Sequence, residues 1–567
     1  MKIKNFDFSV ILDYRRFYLL YVSLFLLFII LFIRLIDLQI ISSDQLIIEG
    51  NKRSLRIQNI PESRGVITDR MGRLLAINLL VYSIWIDPQI VNKFGGIDSN
   101  ISNWTELSNI LNISLENLLI YLDQHKSDRF LYLARQVDPV IAKYISQLKL
   151  TGVFLQKDSK RYYPTGSVSA HLVGITDIDN QGIEGVEKSF NSYLSGYPKT
   201  RVIRQDRSGR IIENVTLLNS GQPAQDVVLS IDERLQYFAY HELNNAVNIN
   251  KAESGSIVLI DIKSGEILAM VNSPSYDPNN LSTVNQSVMR NRAITDAFEP
   301  GSTIKPIVIM AALKHKIIDK DTVLDTLPYI INGHQVKDVS QYRTLTISEI
   351  LQKSSNVGVS KLALAMPISV LVNSYLSFDI GKLTNIGLVG ENKGKIYTCS
   401  RYFSLIERAA LSYGYGLMLT PLQLAKVYAI IGNMGVIRPL SIMRLDKFSS
   451  TVLLEKNFFS KSLIQSVMNM MEVTTLSNDG CYRAAIQGYR VAVKTGTIKK
   501  VNAYGKYIDK YIACIAGIAP VNDPRFALVV VINEPKNGCY YGGLVAAPVF
   551  KSVMGNALKI MNVKSDF

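Results

Sequence analysis

Three short motifs in the 567-residue chain carry residue types suited to acyl transfer, and they occur in order: Ser302-Thr303-Ile304-Lys305, Ser354-Ser355-Asn356 and Lys494-Thr495-Gly496. A serine hydroxyl is a weak nucleophile and needs an adjacent base. Histidine is the usual one, but His125, His171, His241, His315 and His334 lie beside no suitable serine motif, and G-x-S-x-G is absent. Lysine can serve when desolvation or a second nearby cation disfavours its charged form. Lys305 falls one helical turn after Ser302, over the same face. Lys494 could be the second cation, and it could equally bind a substrate carboxylate.

Each motif alone is weak. The same patterns recur at Ser146–Lys149, Ser189–Asn191 and Lys263–Gly265, where a solvated helix face, a chance polar pair and a hairpin turn account for them. A lone serine ahead of a helix would be read as an N-cap. Order, the spacing of 52 and then 140 residues, and local setting separate the first set.

Those settings imply particular elements. Pro300-Gly301 precede Ser302 and TIKPIVIMAALKH continues as a helix, which puts Ser302 at a helix N-terminus, with Pro306 in the first turn where its missing N–H costs nothing. YRVAVKTGT alternates as a strand, and Gly496 removes bulk where a ligand backbone could lie alongside. GSIVLIDI and EILAMVNS flank Lys263-Ser264-Gly265 as a hairpin, and YIACIAGIA and FALVVVINE are further strands. A mainly helical stretch fills about 302–440, and a last helix lies near 545–562. The pattern predicts an α+β domain over 232–567, its antiparallel sheet completed by both ends of the segment. Residues 61–231 mix short β-type runs (VYSIWID, FLYLARQV) with helix-type runs (NWTELSNILN, PVIAKYISQLK), ending near Pro223 and QDVVLSID.

Phe17 to Ile33 is a run of seventeen residues without a charge, which Leu35 and Ile36 extend if Arg34 snorkels. No A-x-A-like site follows it, so the run predicts a retained membrane helix over 17–36 rather than a cleaved signal. Lys2, Lys4, Arg15 and Arg16 precede it, which predicts a cytoplasmic tail over 1–16 and an exported remainder, beginning with a helical stem over 37–60. Lys and Arg total 62 against 47 Asp and Glu, a formal charge of +15 that suggests an anionic partner, either nucleic acid or an acidic membrane surface. Hydrophobic residues at 48% exclude a disordered or collagen-like chain. Cys399, Cys481, Cys514 and Cys539 contain no C-x-x-C, which argues against zinc, and no disulfide can be assigned among them.

The motifs resemble those of the penicillin-recognising serine enzymes, and the surrounding text resembles the class B penicillin-binding proteins of bacterial cell division. Arg64-Gly65-Val66-Ile67-Thr68-Asp69-Arg70 with Gly72, Leu75 and Ala76 is similar to that family's R-G-x-I-x-D-R-x-G-x-x-L-A. So are Arg161-Tyr162-Tyr163-Pro164-Thr165-Gly166, His171 and Gly182-Ile183-Glu184-Gly185, and in the catalytic part FEPGSTIKP, LQKSSNVGVSKLALAMP, SYGYGLMLTPLQLA and VAVKTGT. The resemblance implies a single-pass inner-membrane D,D-transpeptidase with a periplasmic pedestal over 61–231 and a transpeptidase domain built as an antiparallel sheet with helices on both faces and an all-helical lobe. It implies action at the division septum on peptidoglycan stem peptides, inhibition by β-lactams, and work beside a lipid-II polymerase and other division membrane proteins. No cofactor or metal is expected, and with the catalytic part exported nucleic acid is excluded as a partner. The same resemblance makes Ser302 the nucleophile, Lys305 its base, Ser354 a proton relay to the leaving amine, and Asn356 a positioner of substrate or Lys305. Lys494 and Thr495 hold the donor carboxylate, Gly496 and Thr497 line the same strand, and the N–H groups of Ser302 and Thr497 form the oxyanion hole.

Two departures stand out. Ser477-Asn478-Asp479-Gly480-Cys481-Tyr482 replaces a glycine-rich turn, and Ile498 replaces a smaller residue, which is expected to alter the far end of the groove. A β-lactamase is disfavoured by the absence of an E-x-x-L-N segment between Ser354 and Lys494, and a glycosyltransferase-bearing relative by the pedestal signatures. An idle scaffold is disfavoured by the intact Ser302, Lys305 and Lys494.

Overall fold

The computed structural model describes residues 14–60, 63–206, 210–282, 284–397, 402–445, 458–476, 481–502 and 504–566. The tail before residue 14, Cys399 and the segment 477–480 therefore lie outside the described residues. By its internal contacts the chain forms two units, Met1–Glu62 with Gly196–Pro223, and Ser63–Ser195 with Ala224–Phe567.

In the first unit, a single apolar helix, Tyr14–Ile36, has the length and composition of a membrane span, and its apolar stretch Arg16–Ile41 is not buried by the protein. The stem after it is helical only to Ser54. Leu55–Ile60 is instead a strand paired antiparallel with Lys199–Gln205, which pairs in turn with Ile211–Asn219. The apolar–polar alternation of Leu55-Arg56-Ile57-Gln58 fits a strand, not a continued helix.

In the second unit, the long strand Leu74–Ile86 pairs with Leu131–Val137 and Val153–Tyr162. Ile84 and Ile86 pack there with Trp104, Leu107, Leu118 and Ile145 from three short helices. The catalytic part is built on a five-stranded antiparallel sheet in the order Ile267–Ser273, Ser254–Asp261, Phe526–Asn533, Tyr507–Ala519, Ala492–Val501. Both ends of the segment supply it, as the sequence predicts. Ser254–Asp261, Ile267–Ser273 and Phe526–Asn533 are buried over nearly their whole length because both faces are covered, while the other two strands end in exposed, charged residues. Ile257, Leu259, Val493, Ile515 and Val530 share one core with helices Glu233–Ile249 and Ala547–Ile560. Val258, Ile260, Cys514, Ala516 and Val529 share the other with Lys305–Lys314 and Pro421–Gly432.

The intervening lobe is helical except for two small ribbons, Val323–Asp325 with Thr344–Thr346 and Tyr329–Ile331 with His334–Val336. Asn332 and Gly333 turn the second with φ of 46° and 81°, the positive pair a tight hairpin needs.

Candidate active site

Ser302 sits in a single 3₁₀ turn, Gly301–Ile304, that runs into helix Lys305–Lys314. The N-cap positions belong to Pro300 and Ile304, so Ser302 is not the cap of either element. The turn is clamped from two sides. Gly301 has φ of 55°, and a Cβ there would lie 2.5 Å from Ile498 Cγ1. A Cβ on Gly414 would lie 2.1 Å from the Gly301 carbonyl oxygen. Tyr428, fully buried, donates its hydroxyl to the Thr303 carbonyl at 2.8 Å.

Lys305 enters the lobe with 0% of its surface exposed. Its Nζ donates to the Ser354 carbonyl at 2.5 Å, Ser354 Oγ at 3.2 Å and Asn356 Oδ1 at 2.8 Å. Ser354 joins helix Ile347–Gln352 to helix Asn356–Ala365 with φ of 57°, a left-handed conformation that is costly for serine and concentrated at functional sites. Lys494, 1% exposed, reaches the same hydroxyl from the sheet, with Nζ to Ser354 Oγ at 2.9 Å. Burial, and next the Lys494 charge, hold the Lys305 ammonium well below the ordinary lysine range, with Asp338 opposing. Burial lowers Lys494 as well. A neutral Lys305 has two N–H groups and a lone pair that can take a serine proton.

Along this edge strand Lys494, Gly496 and Ile498 are buried, and Thr495 and Thr497, which alternate with them, are partly exposed. Thr495 Oγ1 accepts from the Cys481 thiol at 3.4 Å, and Thr497 Oγ1 accepts from the Gly542 N–H at 3.0 Å. Each hydroxyl keeps its own proton to donate, which suits an anionic group. A Cβ on Gly496 would lie 2.7 and 3.2 Å from Cys514 Sγ and Thr303 Cγ2, so the glycine lets the strand pack against the nucleophile turn. Ile498 departs from expectation: it is buried against Gly301 and does not shape the open end of a groove. Cys481, Cys514 and Cys539 are free thiols, and burial pushes Cys514 up to about 12. Among the described residues, no three of His, Cys, Asp and Glu cluster as a metal site.

The chain matches the penicillin binding protein transpeptidase domain over residues 255–555 and the penicillin-binding protein dimerisation domain over 59–229. It is 55% identical over 529 residues to the peptidoglycan D,D-transpeptidase FtsI of Escherichia coli strain K12, covering 93% of this chain and 89% of that one. Against FtsI of Buchnera aphidicola subsp. Schizaphis graminum the identity is 51%, over 93% and 92% of the two chains. A peptidoglycan synthetase from Bifidobacterium adolescentis shares the fold, with TM-score 0.71 and 23% identity over 90% of this chain and 98% of that one. The chain belongs to the penicillin-binding protein transpeptidases.

Two residues of this penicillin-binding protein's site escape sequence reasoning. Asp338, just past the His334–Val336 ribbon strand, accepts from Ser355 Oγ at 2.5 Å and from the Asn356 and Val357 N–H groups at 2.5 and 3.0 Å. It thereby caps the helix that presents Asn356. Glu299 accepts from the Gly416 N–H at 2.8 Å and from the Tyr507 hydroxyl at 3.3 Å. Only the Asn-Gly turn signals the first, because it places the ribbon that carries Asp338. Nothing local signals the second.

Proposed function

We propose that this chain is a membrane-anchored peptidoglycan D,D-transpeptidase of the division type, working through an acyl-enzyme on Ser302. The observation that carries the reading is the convergence of all three motifs on one oxygen, Ser354 Oγ, which accepts from Lys305 at 3.2 Å and from Lys494 at 2.9 Å. A hydroxyl held between two buried amines is a proton conduit, and the second amine keeps the first deprotonatable.

The reaction follows from these positions. Neutral Lys305 takes the Ser302 hydroxyl proton as Oγ attacks the carbonyl carbon of a donor D-Ala-D-Ala bond. The N–H groups of Ser302 and Thr497 stabilise the oxyanion, an element worth about 3–4 kcal/mol per donor. Lys305 returns that proton through the Ser354 hydroxyl to the leaving nitrogen, D-alanine departs, the ester remains on Ser302, and Lys305 is neutral again. Lys494, Thr495 and Thr497 hold the donor carboxylate. An acceptor amine then attacks the ester and loses a proton to Lys305, which passes it to Ser302 Oγ as the new amide forms and the serine is released.

The bias of basic residues before the apolar helix supports a cytoplasmic N-terminus and a periplasmic catalytic domain at the division site. The anchor and pedestal then meet a septal lipid-II polymerase and other division membrane proteins. Fluorescent penicillin labelling of wild type and Ser302→Ala tests the enzyme. Wild type should hold the label covalently and S302A should take none. An unlabelled wild type sinks the reading, a labelled S302A sinks the nucleophile, and release within seconds would make the chain a β-lactamase.

A further inference from the structure

An oxyanion hole stabilises charge only when both of its donors reach the same oxygen, each at about 2.7–3.1 Å. Here the donors belong to different elements, Ser302 to the nucleophile turn and Thr497 to the strand Ala492–Val501. The reaction therefore depends on the distance between these two stretches of backbone, and the side chains packed between them set it.

Ile498, the residue after Thr497, sends its side chain across this gap. Its Cγ1 and Cδ1 lie 2.5 and 3.3 Å from where a Cβ on Gly301 would stand, next to Ser302. The same Cδ1 lies 3.3 Å from where a Cβ on Gly496 would stand, on the other side of Thr497. Thr303 Cγ2 and Cys514 Sγ close that second niche at 3.2 and 2.7 Å. One side chain thus occupies the hollows left by two glycines, and those glycines are the chain neighbours of the two donors. Ile498 is only 1% exposed. Branching at Cβ stiffens χ1, so isoleucine keeps a distance better than an unbranched side chain does. A smaller residue would leave a void, and turn and strand would shift to fill part of it.

Other bonds draw the two elements together. Gly301 donates its N–H to the Gly414 carbonyl at 3.2 Å, and the Lys499 N–H reaches the Tyr415 hydroxyl, one residue along the same loop, at 3.5 Å. Turn and strand are tied to a common loop, with Ile498 as the wedge between them. We propose that Ile498 is a positioning residue whose side chain, seated against Gly301 and Gly496, sets the separation of the Ser302 and Thr497 N–H groups in the oxyanion hole. The inference rests on the transpeptidase reading and deepens it.

The test uses the full-length chain in detergent and benzylpenicillin, with rates counted per site that takes the label. Ile498→Ala should slow acylation at saturating penicillin about tenfold, short of the roughly 10²–10³-fold for losing a donor outright. Ile498→Val removes only Cδ1, should slow it about threefold, and reads the same effect if I498A does not fold. The half-saturating concentration should move by less than about twofold, because the oxyanion exists only in the transition state. Packing alone would not move the ester carbonyl stretch of the acyl-enzyme, read by infrared difference with penicillin isotope-labelled at its β-lactam carbonyl. A loosened hole holds the ester oxygen more weakly, so the stretch should rise in frequency in I498A and by less in I498V. An unchanged rate, a slower rate with an unshifted stretch, or a loss confined to the half-saturating concentration would each overturn the proposal. An unlabelled wild type would remove the transpeptidase reading and this inference with it. A labelled wild type whose variants match it would remove the inference alone.

Discussion

Two places in the second unit bury charged side chains, and they do so in opposite ways. Near the pedestal strands, Glu187 (0% exposed) is held from both sides, by Arg64 Nε and Arg161 Nε at 2.6 Å each. Arg64 also donates to Asn180, Asn191 and Ser195, so its guanidinium is fully engaged. In the active site, Lys305 and Lys494 are buried as deeply, yet each donates mainly to neutral oxygens and neither pairs with a carboxylate. The first arrangement pairs each charge with one of opposite sign, two guanidiniums sharing one carboxylate, and fixes three chain segments. The second leaves two like charges in a low-dielectric site, which favours the neutral lysine that the chemistry requires.

The contrast is sharpest if both sites are cut. Lys305→Met should lower the penicillin acylation rate about 10³-fold, within the range for losing a positioned general base. Its stability should fall by only about 1–3 kcal/mol, because the neutral amine has no ion pair to lose and only the acceptors at Asn356 and the Ser354 carbonyl are left unmet. Acylation kinetics with denaturant unfolding of the same sample check both. A destabilisation as large as that of a broken buried ion pair would mean the site is built for stability.

Glu187→Ala should do the reverse. It leaves two buried guanidinium groups facing each other and should cost about 3–5 kcal/mol, read as a lowered unfolding midpoint. The fraction that remains folded should still take the penicillin label on Ser302. A soluble, stable E187A protein that cannot be labelled would show that this network positions the active site and does not merely hold the pedestal.

The sequence carries the chemistry better than it carries the frame. The three motifs and the strands beside them are local patterns, set by side-chain type and a period of two, and they land where spacing puts them. What escapes is contact across the chain. Asp338 caps the Asn356 helix from the ribbon, and Glu299 meets Gly416 and Tyr507 over more than a hundred residues. Ile498 reads as a groove residue because the strand pattern cannot show that it packs against Gly301. The stem strand Leu55–Ile60 hides because its partner, Lys199–Gln205, lies about 140 residues away.

His171 supplies the smallest of the expected effects and places a titratable group on the pedestal side of the comparison. It is buried, and its Nε2–H donates to the Val288 carbonyl at 2.7 Å while Nδ1 faces Ser275 Oγ at 3.5 Å. Burial, with Arg292 adding to it and the Val288 bond opposing, lowers its pKa to about 4. An unfolded histidine titrates near 6.5. Above that value both states are neutral and the folded state keeps its full stability. As pH falls from about 6.5 to 4 the unfolded chain takes up a proton that the folded chain refuses, so stability declines by up to about 3 kcal/mol. His171→Gln has no such group, so the stability gap between wild type and variant, measured by denaturant unfolding, should narrow by that amount across this window. A gap that stays parallel from pH 7.5 to 4 would mean that His171 titrates as freely when folded as when unfolded, and that the pedestal, unlike the active site, harbours no charge it is built to refuse.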